Sequence, residues 1–216
     1  CTPHQHLIAI DPVTGKEKWR FDPKLKTDKT FQHLTCRGVM YYDAANTTEF
    51  ATSLQAKKST STECPRKVFV PVNDGRLVAV NADTGKACSD FGQNGEVNLQ
   101  EFMPYAYPGG YNPTSPGVVS GTTVMIAGSV TDNYSNKEPS GVIRGYDVNT
   151  GKLLWVFDTG AADPNAMPGE GTTFVHNSPN AWAPLAYDAK LDIVYVPTGV
   201  GTPDIWGGDR TELKER

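Results

Sequence analysis

Three polar segments of the sequence carry side chains whose types and spacing could bind a ligand. The first is residues 31–38, FQHLTCRG, in which His33 and Arg37 lie four residues apart at the start of a predicted strand. Both side chains can be directed at an anionic ligand, because imidazolium and guanidinium groups donate hydrogen bonds and carry positive charge. Alternatively, His33 is a hydrogen-bonded structural histidine and Arg37 forms a surface ion pair.

The second segment is residues 128–133, GSVTDN. Its hydroxyl, amide and carboxylate groups, with Asp132 flanked by Thr131 and Ser129 nearby, suit a hard cation, because such cations prefer oxygen ligands. An Asp/Asn turn explains the same residues without any ligand.

The third segment combines residues 178–184, SPNAWAP, with residues 199–208, GVGTPDIWGG. Trp182 is predicted to begin an inner strand, so that its ring could form the floor of a central cavity on which a flat cofactor stacks. Ordinary packing between neighbouring sheets is the alternative role for Trp182.

A threefold repeat indicates which elements position these segments. Residues 7–22 (LIAIDPVTGKEKWRFD), 77–92 (LVAVNADTGKACSDFG) and 143–158 (IRGYDVNTGKLLWVFD) share an alternating strand, a D/N-x-x-T-G-K turn and a second strand. The Asp or Asn side chain can bond the following backbone, and glycine supplies the positive φ that the turn needs. Trp19 and Trp155 follow the turn glycine by four residues, which favours docking between adjacent sheets.

A second strand pair is predicted before each of the last two hairpins, so that each period has four strands, typical of a propeller blade. The sequence therefore predicts an all-β fold, a partial β-propeller of four-stranded antiparallel blades. We expect a half blade at residues 1–22, blades at 36–92 and 113–158, and a half blade at 182–199. The tail at 211–216 is expected to stop before the next hairpin, which leaves open blade edges that could self-associate.

Composition narrows the class of protein. The 216 residues include 21 Gly and 16 Pro, which is unfavourable for long helices, and the net charge of −4 gives no basic face for nucleic acid. No apolar run approaches the length of a membrane span. The four cysteines, at positions 1, 36, 64 and 88, are compatible with two disulfides in an oxidising compartment or with buried thiols, and their pairing cannot be assigned.

The chain resembles the periplasmic domain of the membrane-bound glucose dehydrogenases that depend on pyrroloquinoline quinone (PQQ). These are eight-bladed quinoprotein propellers. The segments that carry the resemblance are FQHLTCRGV, PVNDGRL, AGSVTDN, SGVIRGYDVNTG, NSPNAWAP and TPDIWGG.

The resemblance implies a role for each candidate residue. His33 is expected beside the quinone, Arg37 against a PQQ carboxylate and Trp182 under the ring. Ser129 and Thr131 align with groups that bond the cofactor, and Asp132 and Thr202 with positions associated with a divalent cation, Mg²⁺ or Ca²⁺. The implied reaction oxidises D-glucose and other aldoses to the lactone and passes electrons to ubiquinone, at the periplasmic side of the bacterial inner membrane.

The catalytic base is expected beyond Arg216, so that the isolated chain is expected to be inactive. A quinoprotein alcohol dehydrogenase is less favoured, because the vicinal Cys-Cys pair of those enzymes is missing. A non-catalytic propeller scaffold, such as an assembly lipoprotein beginning at Cys1, is the other alternative. A scaffold has no evident need for His33, Asp132 and Trp182.

Overall fold

The computed structural model describes residues 1–25, 31–45, 63–104, 107, 109–205 and 207–208. The tail at 211–216 lies outside the described residues. Within the described part the regular structure is entirely β-strand, and no helix there could cross a membrane. The strands are β1 (Leu7–Ile10), β2 (Glu17–Phe21), β3 (Met40–Asp43), β4 (Arg66–Val72), β5 (Arg76–Asn81), β6 (Glu96–Asn98), β7 (Tyr111–Asn112), β8 (Val118–Ser120), β9 (Thr123–Ile126), β10 (Ser129–Val130), β11 (Ile143–Asp147), β12 (Leu153–Phe157), β13 (Ala186–Asp188) and β14 (Ile193–Tyr195).

The strands form two four-stranded antiparallel sheets, in the orders β3-β4-β5-β6 and β8-β9-β11-β12. The pairs β1-β2 and β13-β14 form separate two-stranded sheets, and β7 pairs with β10. The prediction of an all-β fold with four-stranded antiparallel units is therefore confirmed. The two large sheets share a core whose fully buried members include Phe69, Leu77, Phe91, Val124 and Ile126.

The repeated turn has the same hydrogen bonds at each of its three occurrences. Asp11 Oδ1 accepts bonds from the backbone N–H groups of Val13 and Thr14, and Asn81 and Asp147 do the same for their own turns. The bond from the Thr14 backbone and one from the Lys18 side chain are the main causes that lower the pKa of Asp11 to about 2. The turn glycines have φ values of +70°, +72° and +69° at positions 15, 85 and 151.

Adjacent sheets dock through these turns. The indole Nε1 of Trp19 donates a 2.9 Å hydrogen bond to the Ala82 carbonyl, and a Cβ placed on Gly85 would lie 2.8 Å from the Trp19 ring. The next turn makes a comparable contact, because the Gly92 N–H donates to the Thr150 carbonyl at 2.9 Å. The turn glycine therefore lets the neighbouring sheet approach the backbone closely.

The middle copy of the repeat departs from the predicted pattern after Gly85. The returning strand is reduced to one bridge between Val80 and Ala87, and β6 fills the outer position of the sheet. The cause lies in contacts with an earlier part of the chain: Cys88 is tied to Cys64, and Phe91 turns inward against Phe69 with ring centroids 5.2 Å apart.

Two disulfides link segments that are distant in the sequence, as one of the two sequence interpretations predicted. Cys64 pairs with Cys88 in the core, and Cys1 pairs with Cys36. The second bond ties the N-terminal residues to the segment that carries Arg37, one of the candidate site residues.

Candidate functional site

The backbone around His33 is held by side chains from two other segments. Asn73, in the turn between β4 and β5, donates its Nδ2 hydrogen to the His33 carbonyl at 2.6 Å. The buried Gln5 accepts the Asn73 N–H at 2.8 Å and donates to the Thr35 carbonyl at 3.3 Å. The His33 side chain itself is exposed. Residues 33–35 are therefore held through bonds to their backbone carbonyls, so that the His33 imidazole remains available to contact a ligand.

Arg37 and Trp182 lie next to each other although they are far apart in the sequence. The Arg37 guanidinium carbon is 5.7 Å from the centroid of the Trp182 ring, within the range of a cation–π contact. Arg37 Nη1 donates to the Thr114 hydroxyl at 2.5 Å, and the Ser115 hydroxyl donates to the Trp182 carbonyl. The Arg37 side chain is therefore held by Thr114 and the Trp182 backbone by Ser115, and Trp182 remains 52% exposed.

Ser129 and Thr131 bond to nearby backbone. β10 pairs with β7, and the buried Ser129 hydroxyl donates to the Val130 carbonyl at 3.3 Å. The Thr131 hydroxyl donates to the Gly109 carbonyl at 3.0 Å, and the Thr131 N–H donates to the Gly110 carbonyl at 2.7 Å. These bonds hold the segment that presents Asp132.

Asp132 forms the acidic centre of the site together with Asp204. Burial and the adjacent Asp204 carboxylate raise the pKa of Asp132, whereas the His33 imidazole acts in the opposite direction. Asn133 joins the two carboxylates, because its Nδ2 donates to Asp132 Oδ1 at 2.8 Å and to Asp204 Oδ1 at 2.5 Å. Either a shared proton or a bound cation relieves the repulsion between two such carboxylates.

Thr202 is buried, lies two residues before Asp204 in the sequence, and is held by a residue of a different loop. Its hydroxyl donates to the Asn177 carboxamide oxygen at 3.5 Å, and the same oxygen accepts the Glu138 N–H at 2.6 Å. The peptide bond between Thr202 and Pro203 is cis. The loop with Asp132 and the loop with Thr202 are therefore tied to a common support.

An open cleft brings together four of the seven predicted site residues. It is lined by Ser129, Val130, Asp132, Asn180, Trp182, Gly199, Val200, Thr202 and Asp204. His33, Arg37 and Thr131 are not in its lining. Arg37 contacts Trp182, Thr131 precedes Asp132 in the sequence, and His33 acts on Asp132 electrostatically.

Sequence reasoning missed Asp204, Asn133 and Asn180 as separate site residues. Asp204 and Asn180 lie in the same short segments as Thr202 and Trp182, which was the available signal. Within the described residues, the Asn180 carboxamide oxygen is buried and has no hydrogen-bond partner. No described cluster contains three or more His, Cys, Asp or Glu side chains that could hold a metal. The oxygen donors at this cleft are instead two carboxylates with amide and hydroxyl groups.

Comparisons with known proteins bear on the whole chain. The family model for the PQQ type, described as glucose/ethanol/alcohol dehydrogenase, β-propeller domain, matches residues 1–216. Quinoprotein glucose dehydrogenase A of Acinetobacter calcoaceticus is 94% identical over 216 residues, which is 100% of this chain and 27% of that protein. Quinoprotein glucose dehydrogenase of Escherichia coli (strain K12) is 57% identical over 100% of this chain and 26% of its own length. The chain thus spans about a quarter of the curated relatives that it matches.

A solved structure shows the same fold at low sequence identity. The quinohemoprotein alcohol dehydrogenase from Comamonas testosteroni superposes with a TM-score of 0.62 at 22% identity, covering 97% of this chain and 28% of that one. The predicted propeller architecture is confirmed by this likeness together with the family match.

Proposed function

Because this chain belongs to the PQQ-type glucose/ethanol/alcohol dehydrogenase β-propeller family, we propose that it forms one side of the cofactor site of a quinoprotein glucose dehydrogenase. The observation that carries the proposal is the cleft that combines the exposed face of Trp182 with the carboxylate pair Asp132 and Asp204. The first supplies a surface for a flat ring and the second supplies oxygen ligands for a cation.

The chemistry of the cleft fits PQQ, which is flat and carries three carboxylates, and a hard divalent cation. The buried, unpartnered oxygen of Asn180 supports this fit, since a native buried polar atom normally has a partner. A bound cation or a ligand N–H would satisfy that oxygen. The exposed Arg37 guanidinium beside the Trp182 ring supplies positive charge for a ligand carboxylate.

Each residue then has a definite task in binding. Trp182 supports the ring of the cofactor, and Arg37 pairs with one of its carboxylates. His33 lies exposed in the segment at 31–38 that also carries Arg37. Asp132 and Thr202 supply oxygens to Mg²⁺ or Ca²⁺, and Asp204 joins them as a neighbour of Asp132. The Ser129 and Thr131 hydroxyls donate their hydrogens to backbone carbonyls and so hold the loop. Toward the cofactor they offer only their oxygens, as hydrogen-bond acceptors.

The names of the relatives support the proposed substrate, and the destination of the electrons is proposed from the family resemblance alone. When bound, PQQ supplies a two-electron acceptor and the cation supplies Lewis acidity. We propose that the full-length enzyme oxidises D-glucose and other aldoses to the lactone, transfers the electrons to ubiquinone, and acts at the periplasmic side of the bacterial inner membrane. The glucose branch is supported over the alcohol branch, because relatives named glucose dehydrogenases are 94%, 57% and 48% identical, whereas a quinohemoprotein alcohol dehydrogenase is 30% identical.

The test is dye-linked glucose oxidation by a full-length enzyme that carries this segment, after addition of PQQ and Mg²⁺ or Ca²⁺. We expect PQQ-dependent turnover in the wild type and its loss in Asp132→Ala. The matched control is Asp163→Ala, which removes an exposed carboxylate from another loop and should keep full activity. Full activity in Asp132→Ala would contradict the site assignment, and wild-type activity that does not require PQQ would contradict the function.

The isolated 216-residue chain is proposed to be inactive and prone to self-association. In its β13-β14 hairpin, Ile193 and Tyr195 are 44% and 52% exposed to solvent. Such an exposed apolar surface favours pairing with other chains. Clear glucose oxidation by this chain in the same assay would refute the first statement. A monomeric mass in light scattering at high concentration would refute the second.

A further inference from the structure

The side chain of Gln32 forms two hydrogen bonds with the backbone of Asp132, one hundred residues further along the chain. The Gln32 carboxamide nitrogen donates to the Asp132 carbonyl at 3.0 Å, and the Asp132 N–H donates to the Gln32 carboxamide oxygen at 2.8 Å. A planar carboxamide can make both bonds only when N–H and C=O of Asp132 face it together. The pair therefore fixes the orientation of the backbone at Asp132 as well as its position.

Both sides of this contact are themselves anchored. On one side, the residue after Gln32 has its carbonyl bound by Asn73, which in turn is bound by the buried Gln5. On the other side, the Thr131 N–H is bonded to the Gly110 carbonyl at 2.7 Å. The contact thus links the segment held by the turn between β4 and β5 to the loop that carries Asp132.

We propose that Gln32 is a positioning residue that holds Asp132 in the geometry required for the divalent cation, an inference that rests on the function proposed above. Gln32 binds the backbone of Asp132 and leaves the carboxylate free, so it acts through Asp132. The segment that carries Gln32 also carries His33 and Arg37. Cation binding and PQQ binding are therefore linked through this contact, and each ligand strengthens the binding of the other.

The experiment measures PQQ uptake by a full-length enzyme that carries this segment, as a function of Ca²⁺ concentration, by the absorbance of protein-bound PQQ after gel filtration. Gln32→Met keeps the length of the side chain and removes both hydrogen bonds, and Gln32→Ala removes the side chain. We expect both variants to need about ten times more Ca²⁺ for half-maximal uptake, as is typical when a residue that orients a metal ligand is removed. The matched control, Gln93→Ala, changes another exposed glutamine and should match the wild type.

Kinetics at saturating Ca²⁺ separate positioning from catalysis and from general stability. With the cation site filled, we expect kcat and the KM for glucose of Gln32→Met to stay within about twofold of the wild type, because Gln32 does not reach the reacting atoms. An unchanged Ca²⁺ requirement in both Gln32 variants overturns the inference, including the case where only the melting temperature falls. Failure of the wild type to take up PQQ at any Ca²⁺ concentration overturns the proposed function itself.

Discussion

Replacing Gly85 by alanine should destabilise the fold far more than the same change at Gly15, although both glycines occupy the same repeated turn. Their φ values are +72° and +70°, so each alanine variant carries a similar backbone strain of about 1 kcal/mol. The surroundings differ, because a Cβ on Gly15 meets nothing within 4 Å, whereas a Cβ on Gly85 would lie 2.8 Å from carbons of the Trp19 ring.

The extra cost at Gly85 can be worked from that contact. Forcing the Trp19 ring to shift costs about 1–3 kcal/mol in a packed interface. The shift also weakens the hydrogen bond from Trp19 Nε1 to the Ala82 carbonyl, worth about 0.5–1.5 kcal/mol. We therefore expect Gly15→Ala to lower the free energy of unfolding by about 1 kcal/mol and Gly85→Ala by about 3 kcal/mol.

Urea unfolding of the 216-residue chain, followed by tryptophan fluorescence at a protein concentration low enough to keep it monomeric, measures the two values side by side. A double-mutant cycle adds a sharper test, because the additional cost of Gly85→Ala should disappear in a Trp19→Ala background. Equal destabilisation at the two glycines, or an additional cost that persists without the indole, would refute the assignment of this contact as the docking point between sheets.

Three further predictions concern the site and the disulfides. Trp182→Ala should weaken PQQ binding by roughly 30-fold, about 2 kcal/mol for the lost ring contact, measured by equilibrium dialysis; unchanged affinity would exclude stacking there. Asp204→Asn removes a neighbouring charge that raises the pKa of Asp132, so the loss of Ca²⁺ binding in acid should shift to lower pH in calorimetric titrations; a shift to higher pH would contradict this. Replacing Cys64 and Cys88 together by alanine should cost about 3 kcal/mol in urea unfolding, given their separation of 24 residues; a negligible loss would contradict a stabilising role.

The repeated elements were predictable from the sequence because each is encoded locally. The turns at Asp11, Asn81 and Asp147 form the predicted side chain–backbone bonds, and each is followed by a glycine with positive φ. Docking through Trp19 was also predictable, since a large ring recurs at a fixed distance from that glycine.

The departures arise where distant residues decide the outcome. The strand predicted after Gly85 is reduced to a bridge, because the bond between Cys88 and Cys64 redirects the chain, and that pairing could not be assigned from spacing. In the site, four predicted residues line one cleft, but the partnership of Asp132 with Asp204 depends on two loops meeting in space. The contact between Gln32 and Asp132 likewise has no local signal, because it spans one hundred residues.

The measurement that tests the proposed function most directly is a crystal structure of a full-length enzyme carrying this segment, grown with PQQ and Ca²⁺. The proposed function predicts the PQQ ring stacked on Trp182 at roughly van der Waals distance, about 3.5 Å. It also predicts Ca²⁺ about 2.3–2.6 Å from a carboxylate oxygen of Asp132. A ring bound away from Trp182, or a cation that takes no oxygen from Asp132, would contradict it.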